Sequence, residues 1–222
     1  MTATEEIIEY LGDQIVSGKY KPLEKLPTER DLAIQLGVAR GRVREALRGL
    51  SMAGLIEIKR GNGTFVKPSS EWMNSTTVKW AFCGQSASME ELFAVRDVLE
   101  KGVYNLAFDN CSNADLLIIE KDLSLISEHI KSDLSTYADC LDRFDLQLAK
   151  VARNVMFLSL FQALIILRRR NVEAILALKG SREQSLQLRK SIYTSFKNRD
   201  KKQALDAIDN FFDKAQQFVT DE

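Results

Sequence analysis

The 222-residue chain has one histidine, three cysteines and three prolines, and its 31 basic residues equal its 31 acidic ones. Each shortage excludes something. The lone His129 rules out any site built on two or more imidazoles. Cys83, Cys111 and Cys140 are odd in number, far apart and free of C-x-x-C spacing, so neither a disulfide framework nor a cysteine zinc site is indicated. A reducing cytoplasm is the expected compartment. Zero net charge argues against coating nucleic acid by bulk charge. The longest apolar run, Val155 to Leu167, is broken by Ser159 and Gln162 and falls short of the roughly 20 residues needed to cross a bilayer, so no membrane partner is expected. The acidic start, Met1-Thr-Ala-Thr-Glu-Glu6, lacks the basic and apolar stretches of a secretory signal. With no G-x-S-x-G, no phosphate loop and no second histidine, an enzyme reading lacks its parts, and no cofactor is expected.

Apolar residues at 45% and charged residues at 28% are ordinary for a globular protein, and the length leaves room for two domains. The pattern predicts a mainly α fold. Residues 1–70 read as a winged helix-turn-helix, 71–88 as a linker with a short helix near Thr76 to Phe82, and 89–222 as an all-α antiparallel bundle.

Positive charge is local. From Leu36 to Lys67 there are seven basic residues against two acidic ones. Ile7, Ile8, Leu11 and Ile15 recur at helical spacing in a first helix over Thr4 to Gly18, with Thr2 or Thr4 as its cap. A loop over Lys19 to Pro27 leads to Thr28, which caps a second helix from Glu29 to Leu36, and Gly37 allows the left-handed turn that follows. A third helix, Ala39 to Ala53, carries Val43, Ala46, Leu47 and Leu50 on one stripe, with Arg40, Arg44 and Arg48 beside it. Leu55 to Arg60 and Thr64 to Lys67, joined by Gly61-Asn-Gly63, read as a β-hairpin.

In such a module the third helix enters the major groove by its N-terminal residues, where Arg40, Arg42 and Arg44 lie. Ala39 and Gly41 keep that end slim, and Arg60 at the hairpin tip can reach an adjacent minor groove. Double-stranded DNA is the expected partner.

Four runs carry a resemblance: Leu26-Pro-Thr-Glu-Arg-Asp-Leu-Ala33, Gly37-Val-Ala-Arg-Gly-Arg-Val-Arg-Glu-Ala-Leu47, Leu50-Ser-Met-Ala-Gly-Leu-Ile56 and Arg60-Gly-Asn-Gly-Thr-Phe-Val66. Together they resemble the DNA-binding domain of the GntR family of bacterial regulators. The resemblance implies DNA contacts from Arg30, Arg40, Arg44 and Arg60, with Gly61 at the wing tip. Some relatives have hydroxyl residues early in the recognition helix where this chain has Ala39, Gly41 and Arg42, so an operator sequence does not carry over.

Beyond the linker, helices are expected over Glu90 to Asn110, with Leu92, Val95, Leu99 and Leu106 inward, and from the Ser112 or Asn113 cap to about Ile130. Others follow over Leu134 to Arg153, Val155 to Leu178 with a bend near Arg168 to Asn171, Arg182 to Lys197 and Lys201 to about Thr220. Glu91-Leu-Phe-Ala-Val-Arg-Asp-Val-Leu-Glu100 and Asp142-Arg-Phe-Asp145 resemble the FCD ligand-binding domain of the FadR-like branch. Many such domains hold a metal through an aspartate and three histidines, whose places here are Leu141, Asp145, Arg189 and Phe211, so no metal is expected. Opposite charges at Asp145 and Arg189 can compensate one another.

The resemblance places Arg96 toward the central cavity, with Asn154 and Tyr193 as further pocket candidates. A buried guanidinium needs an anion, which is either a small organic-acid or acyl metabolite or an internal partner such as Glu100. The expectation is a repressor that binds a palindromic operator as a homodimer and answers to that metabolite. The alternative is a DNA-binding regulator whose bundle is a ligand-free dimerisation or protein-interaction module.

Overall fold

The computed structural model describes residues 2–69, 72, 75–82 and 89–220, and its contacts divide the chain into two compact units, Met1–Phe82 and Cys83–Glu222. Cys83 and half of the expected 71–88 linker lie outside the described residues.

The first unit starts with α1 (Ala3–Val16), whose N-terminus is closed by a reciprocal box: Thr2 Oγ1 accepts from the Glu5 amide and the Glu5 carboxylate accepts from the Thr2 amide. Helix α2 (Glu29–Leu36) is capped by Thr28 through the Asp31 amide, and it stops at Gly37, where φ of +65° suits a residue without Cβ. Helix α3 (Arg40–Met52) buries Val43, Ala46, Leu47 and Leu50 against Ile7, Leu11 and Ile15 of α1. That crossing is close: a Cβ on Gly49 of α3 would sit 3.0 Å from Ile8 Cδ1. Strands β1 (Ile56–Lys59) and β2 (Gly63–Val66) pair antiparallel with Ile56 opposite Val66 and Lys59 opposite Gly63.

The loop before α2 does more than connect. Leu26 donates its amide to Thr64 O, Leu23 donates to Val66 O, and the Val66 amide donates back to Glu24 O, so β2 is held on both edges. Leu23 reaches this arrangement at φ +68°. Reading Lys19 to Pro27 as a plain loop missed this third, strand-like edge. Helix α4 (Ser75–Phe82) completes the described part of the unit.

The second unit consists of α5 (Met89–Asn110), α6 (Asn113–Glu128), α7 (Leu134–Val151), α8 (Val155–Leu176), α9 (Ser181–Asn198) and α10 (Lys201–Thr220). Helix α7 is central: it packs on α5, α6 and α8, while α9 packs on α6 and α10. Ser112 and Asp115 form a second capping box at the start of α6. Aromatic rings fill the middle, with Tyr104 about equally near Phe161, Phe211 and Phe212, at 6.2, 6.2 and 6.0 Å between centroids.

Two expectations need correction. The inward face of α5 is Phe93, Arg96, Glu100, Val103, Tyr104, Ala107 and Phe108, whereas Val95 is 54% exposed. An Arg and a Glu in that stripe hide it from a search for apolar periodicity, because they neutralise each other inside. Helix α8 also continues without interruption through Arg168 to Asn171. The arginines there turn onto carboxylates of α7 and form a packing face where a bend was expected.

Leu11→Ala is expected to destabilise the first unit by ~2–5 kcal/mol, since Leu11 is fully buried between α1 and α3. Val98→Ala, at a side chain 77% exposed, is expected to stay within ~0.5 kcal/mol of the parent. Urea unfolding followed by circular dichroism separates the two.

Candidate nucleic-acid interface and candidate ligand cavity

In the first unit the apolar stripe of α3 is fixed to α1, and this leaves its other face in solvent. Arg40, Gly41, Arg42 and Arg44 are all exposed there. Ala39 stands at the N-cap and makes no side-chain hydrogen bond to the first turn. Unbonded amides at such an end carry partial positive charge and suit an anion such as a phosphate.

Glu29, the first residue of α2, was not singled out from sequence. Arg44 donates to it as a fork, Nε to Oε1 at 3.0 Å and Nη2 to Oε2 at 2.8 Å, and Arg40 Nη2 lies 3.8 Å from Oε2. The hydrogen bond from Arg44 holds the Glu29 carboxyl below its ordinary range. The glutamate thus sets the direction of two arginines that belong to another helix. Its signal in sequence was its place one residue after the Thr28 cap. Arg30 is exposed on α2, and Arg60 and Gly61 are exposed at the hairpin turn, where Gly61 has φ +75° and the Asn62 amide closes onto Lys59 O.

In the second unit one carboxylate gathers four helices. Asp145 of α7, wholly buried, accepts from Tyr104 Oη of α5 at 2.9 Å and from Arg168 Nη2 of α8 at 2.7 Å. It also takes a fork from Arg189 of α9, with Nε at 3.1 Å and Nη2 at 2.8 Å. The compensation between Asp145 and Arg189 is present, with Arg168 as a third member that sequence reading missed. Arg168 also meets Asp142 at 3.2 Å and Glu100 at 3.5 Å, while Arg96 Nε donates to Glu100 at 3.1 Å. The internal partner expected for Arg96 is therefore in place. Asp142, whose carboxyl burial pushes up, is shared with Arg169 at 2.8 Å.

Beside this network lies a cavity of about 60 Å³. Arg96, Arg168 and Arg189 line it, together with Ser181 and Ser185. The rest of the wall is apolar, including Leu141, Val172, Leu176 and Phe211. Three of the four positions that hold metal in many FCD domains, Leu141, Arg189 and Phe211, thus face one cavity, and the fourth, Asp145, lies directly behind it. Their chemistry does not fit a metal. Only Asp145 is a ligand type, its oxygens already take four hydrogen bonds, and the nearest groups are cations. Among the described residues no three His, Cys, Asp or Glu side chains are grouped to hold an ion.

Two candidates fall elsewhere. Asn154 is exposed and serves as the N-cap of α8, accepting from the Met156 and Phe157 amides at 3.0 and 3.1 Å. Tyr193 does not line the cavity: burial and a hydrogen bond with Glu120 push its hydroxyl up to about 12, and Lys197 sits 5.6 Å over its ring. Both are placed in the pocket by resemblance alone, and neither lines the cavity.

A three-helix unit with a paired wing and cationic recognition helix, joined to a helical bundle with a charged cavity, defines a winged helix-turn-helix regulator with a ligand-type helical domain. Residues 3–66 match the family described as bacterial regulatory proteins, gntR family, and residues 91–214 match the FCD domain. The chain belongs to the GntR family of DNA-binding transcription regulators and carries an FCD domain.

It is 30% identical over 159 residues to the Uxu operon transcriptional regulator of Escherichia coli K12, covering 71% of this chain and 62% of that protein. It is 27% identical to the galactonate operon transcriptional repressor of the same organism, covering 90% of this chain and 89% of that one. The solved structure of a Streptococcus agalactiae GntR protein shares the fold at a TM-score of 0.70 and 22% identity, over 98% of both chains. Among the described residues no helix is long and apolar enough to cross a membrane.

Burial raises the Asp145 carboxyl, but Arg189 and then Arg168 outweigh it and hold the group at about 2, below the ordinary 3.8. Its stabilising contribution is therefore complete above about pH 4 and is lost as the pH falls toward about 2. Asp145→Asn, which leaves two buried guanidiniums short of a counter-charge, should cost ~3–5 kcal/mol at neutral pH. In urea unfolding the gap between parent and variant should narrow as the pH drops from about 4 toward about 2. A gap of constant size would contradict the assigned role of Asp145.

Proposed function

We propose that the chain is a cytoplasmic repressor that binds a palindromic operator as a homodimer and is released from it by a small organic-acid or acyl metabolite taken up in the helical unit. The observation that carries the DNA part is the exposed, uncapped start of α3, with Arg40, Gly41, Arg42 and Arg44 projecting from a helix whose opposite stripe is fully buried. Arg42 and Arg44 can donate to guanine edges or phosphates, the open helix end takes a phosphate, and Arg30, Arg60 and Gly61 extend the contact along the backbone and into the minor groove. Two half-sites one helical turn apart call for a two-fold dimer. Similarity to a galactonate operon repressor over 90% of this chain supports repression as the mode.

Arg96, Arg168 and Arg189 on one cavity wall support an anionic effector, with Asp145 as the buried anchor of the last two. Such a ligand acts on DNA affinity only to the extent that it prefers one dimer geometry over the other. One observation favours the ligand-free bundle as a second reading: the buried arginines have internal carboxylate partners in Glu100, Asp142 and Asp145. Thermal unfolding against a panel of metabolites separates the two, because a competent pocket gives a saturable shift and a filled one gives none.

The test of the main reading is binding of the full chain to fragments of its own genome across a salt series, beside the Arg40→Ala/Arg44→Ala double variant. Enrichment of a palindromic site is expected, with the variant losing ~1–3 kcal/mol per lost base contact and showing a shallower salt slope. An indifferent variant, or no selectivity at any salt, would remove α3 as the reading element.

A further inference from the structure

Arg40, Arg42 and Arg44 stand at the start of α3, and their surroundings make them unequal. Arg44 is tied to Glu29 through Nε and Nη2, which lie on one side of its guanidinium, and no described residue accepts from its Nη1. Arg40 reaches the same carboxylate only at 3.8 Å. Arg42, two positions on and so ~200° around the helix from Arg40, is exposed and has no carboxylate partner among the described residues.

A guanidinium is planar and rigid, so its N–H groups point along fixed edges. Glu29 takes the side edge of Arg44, Nε with Nη2. The end edge, Nη1 with the second hydrogen of Nη2, stays open, and its paired donors fit O6 and N7 of guanine. The tether also cancels charge, because the Arg44 hydrogen bond keeps the Glu29 carboxyl below its ordinary range and therefore ionised at neutral pH. A neutral pair makes a poor phosphate clamp, since phosphate affinity comes from net charge and counterion release, yet it keeps its direction. Arg42 has the opposite balance, a full charge with nothing to aim it.

Gly41 supplies a second observation. Its backbone is not left-handed and a Cβ there would meet nothing within 4 Å, so neither a turn nor packing calls for glycine, which is unfavourable inside a helix. The bare position thins the start of α3 and lets it approach base edges closely. We infer that Glu29 is a specificity-determining residue, holding the end edge of Arg44 toward a guanine in each operator half-site, while Arg42 supplies the sequence-independent grip on phosphate. This rests on the reading of α3 as the helix that enters the major groove.

The experiment selects bound duplexes from a DNA pool with a fully randomised core, using the full chain, and sequences them. Affinities for the selected site and for a scrambled duplex are then followed across a salt series, and thermal unfolding checks that each variant is folded. The parent should select a two-fold site with a fixed G·C pair in each half. Glu29→Gln should lower the preference for that pair by roughly fivefold or more. It should also tighten binding to the scrambled duplex, with a salt slope steeper by about one per protomer, because the released Arg44 takes a phosphate. Arg42→Ala should keep the preferred pair and weaken both duplexes alike, with a slope shallower by about one per protomer. Asp31→Asn removes a charge from the same turn of α2, but one that accepts from the Thr28 hydroxyl, and it should leave the base preference as in the parent.

An unchanged ratio of the two affinities in Glu29→Gln, a lost G·C preference in Arg42→Ala, or an equal loss in Asp31→Asn would each overturn the inference and leave α3 as the reading element. A folded parent that selects nothing from the pool would instead remove the DNA reading, and this assignment with it.

Discussion

Asp145 is the point on which the helical unit turns. Tyr104, Arg168 and Arg189 bring α5, α8 and α9 to a single carboxylate on α7, and Phe211 of α10 stacks under the Arg189 guanidinium at 4.9 Å. Apolar packing tolerates small slips between helices, whereas forked hydrogen bonds to one buried carboxylate do not. The network adds little net free energy, since desolvating so many charges costs about as much as their attraction returns. What it supplies is register. Four helices are fixed relative to one another at the level of single hydrogen bonds, with α10 held by a ring contact, next to the cavity whose contents would have to move them.

How much of this was legible depended on whether polar residues had to be inside. In the first unit they did not, so helical spacing of Ile7, Leu11 and Ile15, the Thr28 cap, Gly37 and the glycine-rich turn led straight to the observed elements. In the bundle they did. Arg96 and Glu100 sit on the buried stripe of α5, and Arg168 interrupts what reads as an apolar run, so periodicity pointed to Val95 and to a bend. A signal was nonetheless available. Asp142 and Asp145 lie one turn apart on α7 among Leu141, Phe144 and Leu148, and two carboxylates on an apolar face require buried cations from elsewhere in the chain. Three consecutive arginines, Arg168 to Arg170, were the obvious source.

Asn154 and Tyr193 show the opposite error, since their assignment came from resemblance alone. Nothing in their immediate sequence demanded burial, and an asparagine directly before an apolar helix is first of all a cap. Arg189 and Asp145 had support of their own, from opposite charge at two positions expected to face each other, and they meet. Glu29 was overlooked because contacts between α2 and α3 depend on how two helices cross, which spacing within either helix does not reveal.

The double-edged pairing of β2 bears on how such a chain can change without losing its wing. The hairpin hangs from the segment before α2 through Leu23, Glu24 and Leu26 as well as from β1, and Phe65 is flanked by the ammonium groups of Lys25 and Lys59 at 5.9 and 5.4 Å. A residue inserted or deleted between Lys21 and Leu26 would shift the frame from which the hairpin tip is suspended, some forty positions downstream in sequence. That short segment is thus bound to a fixed length, and variation tolerated in most surface loops has no room there.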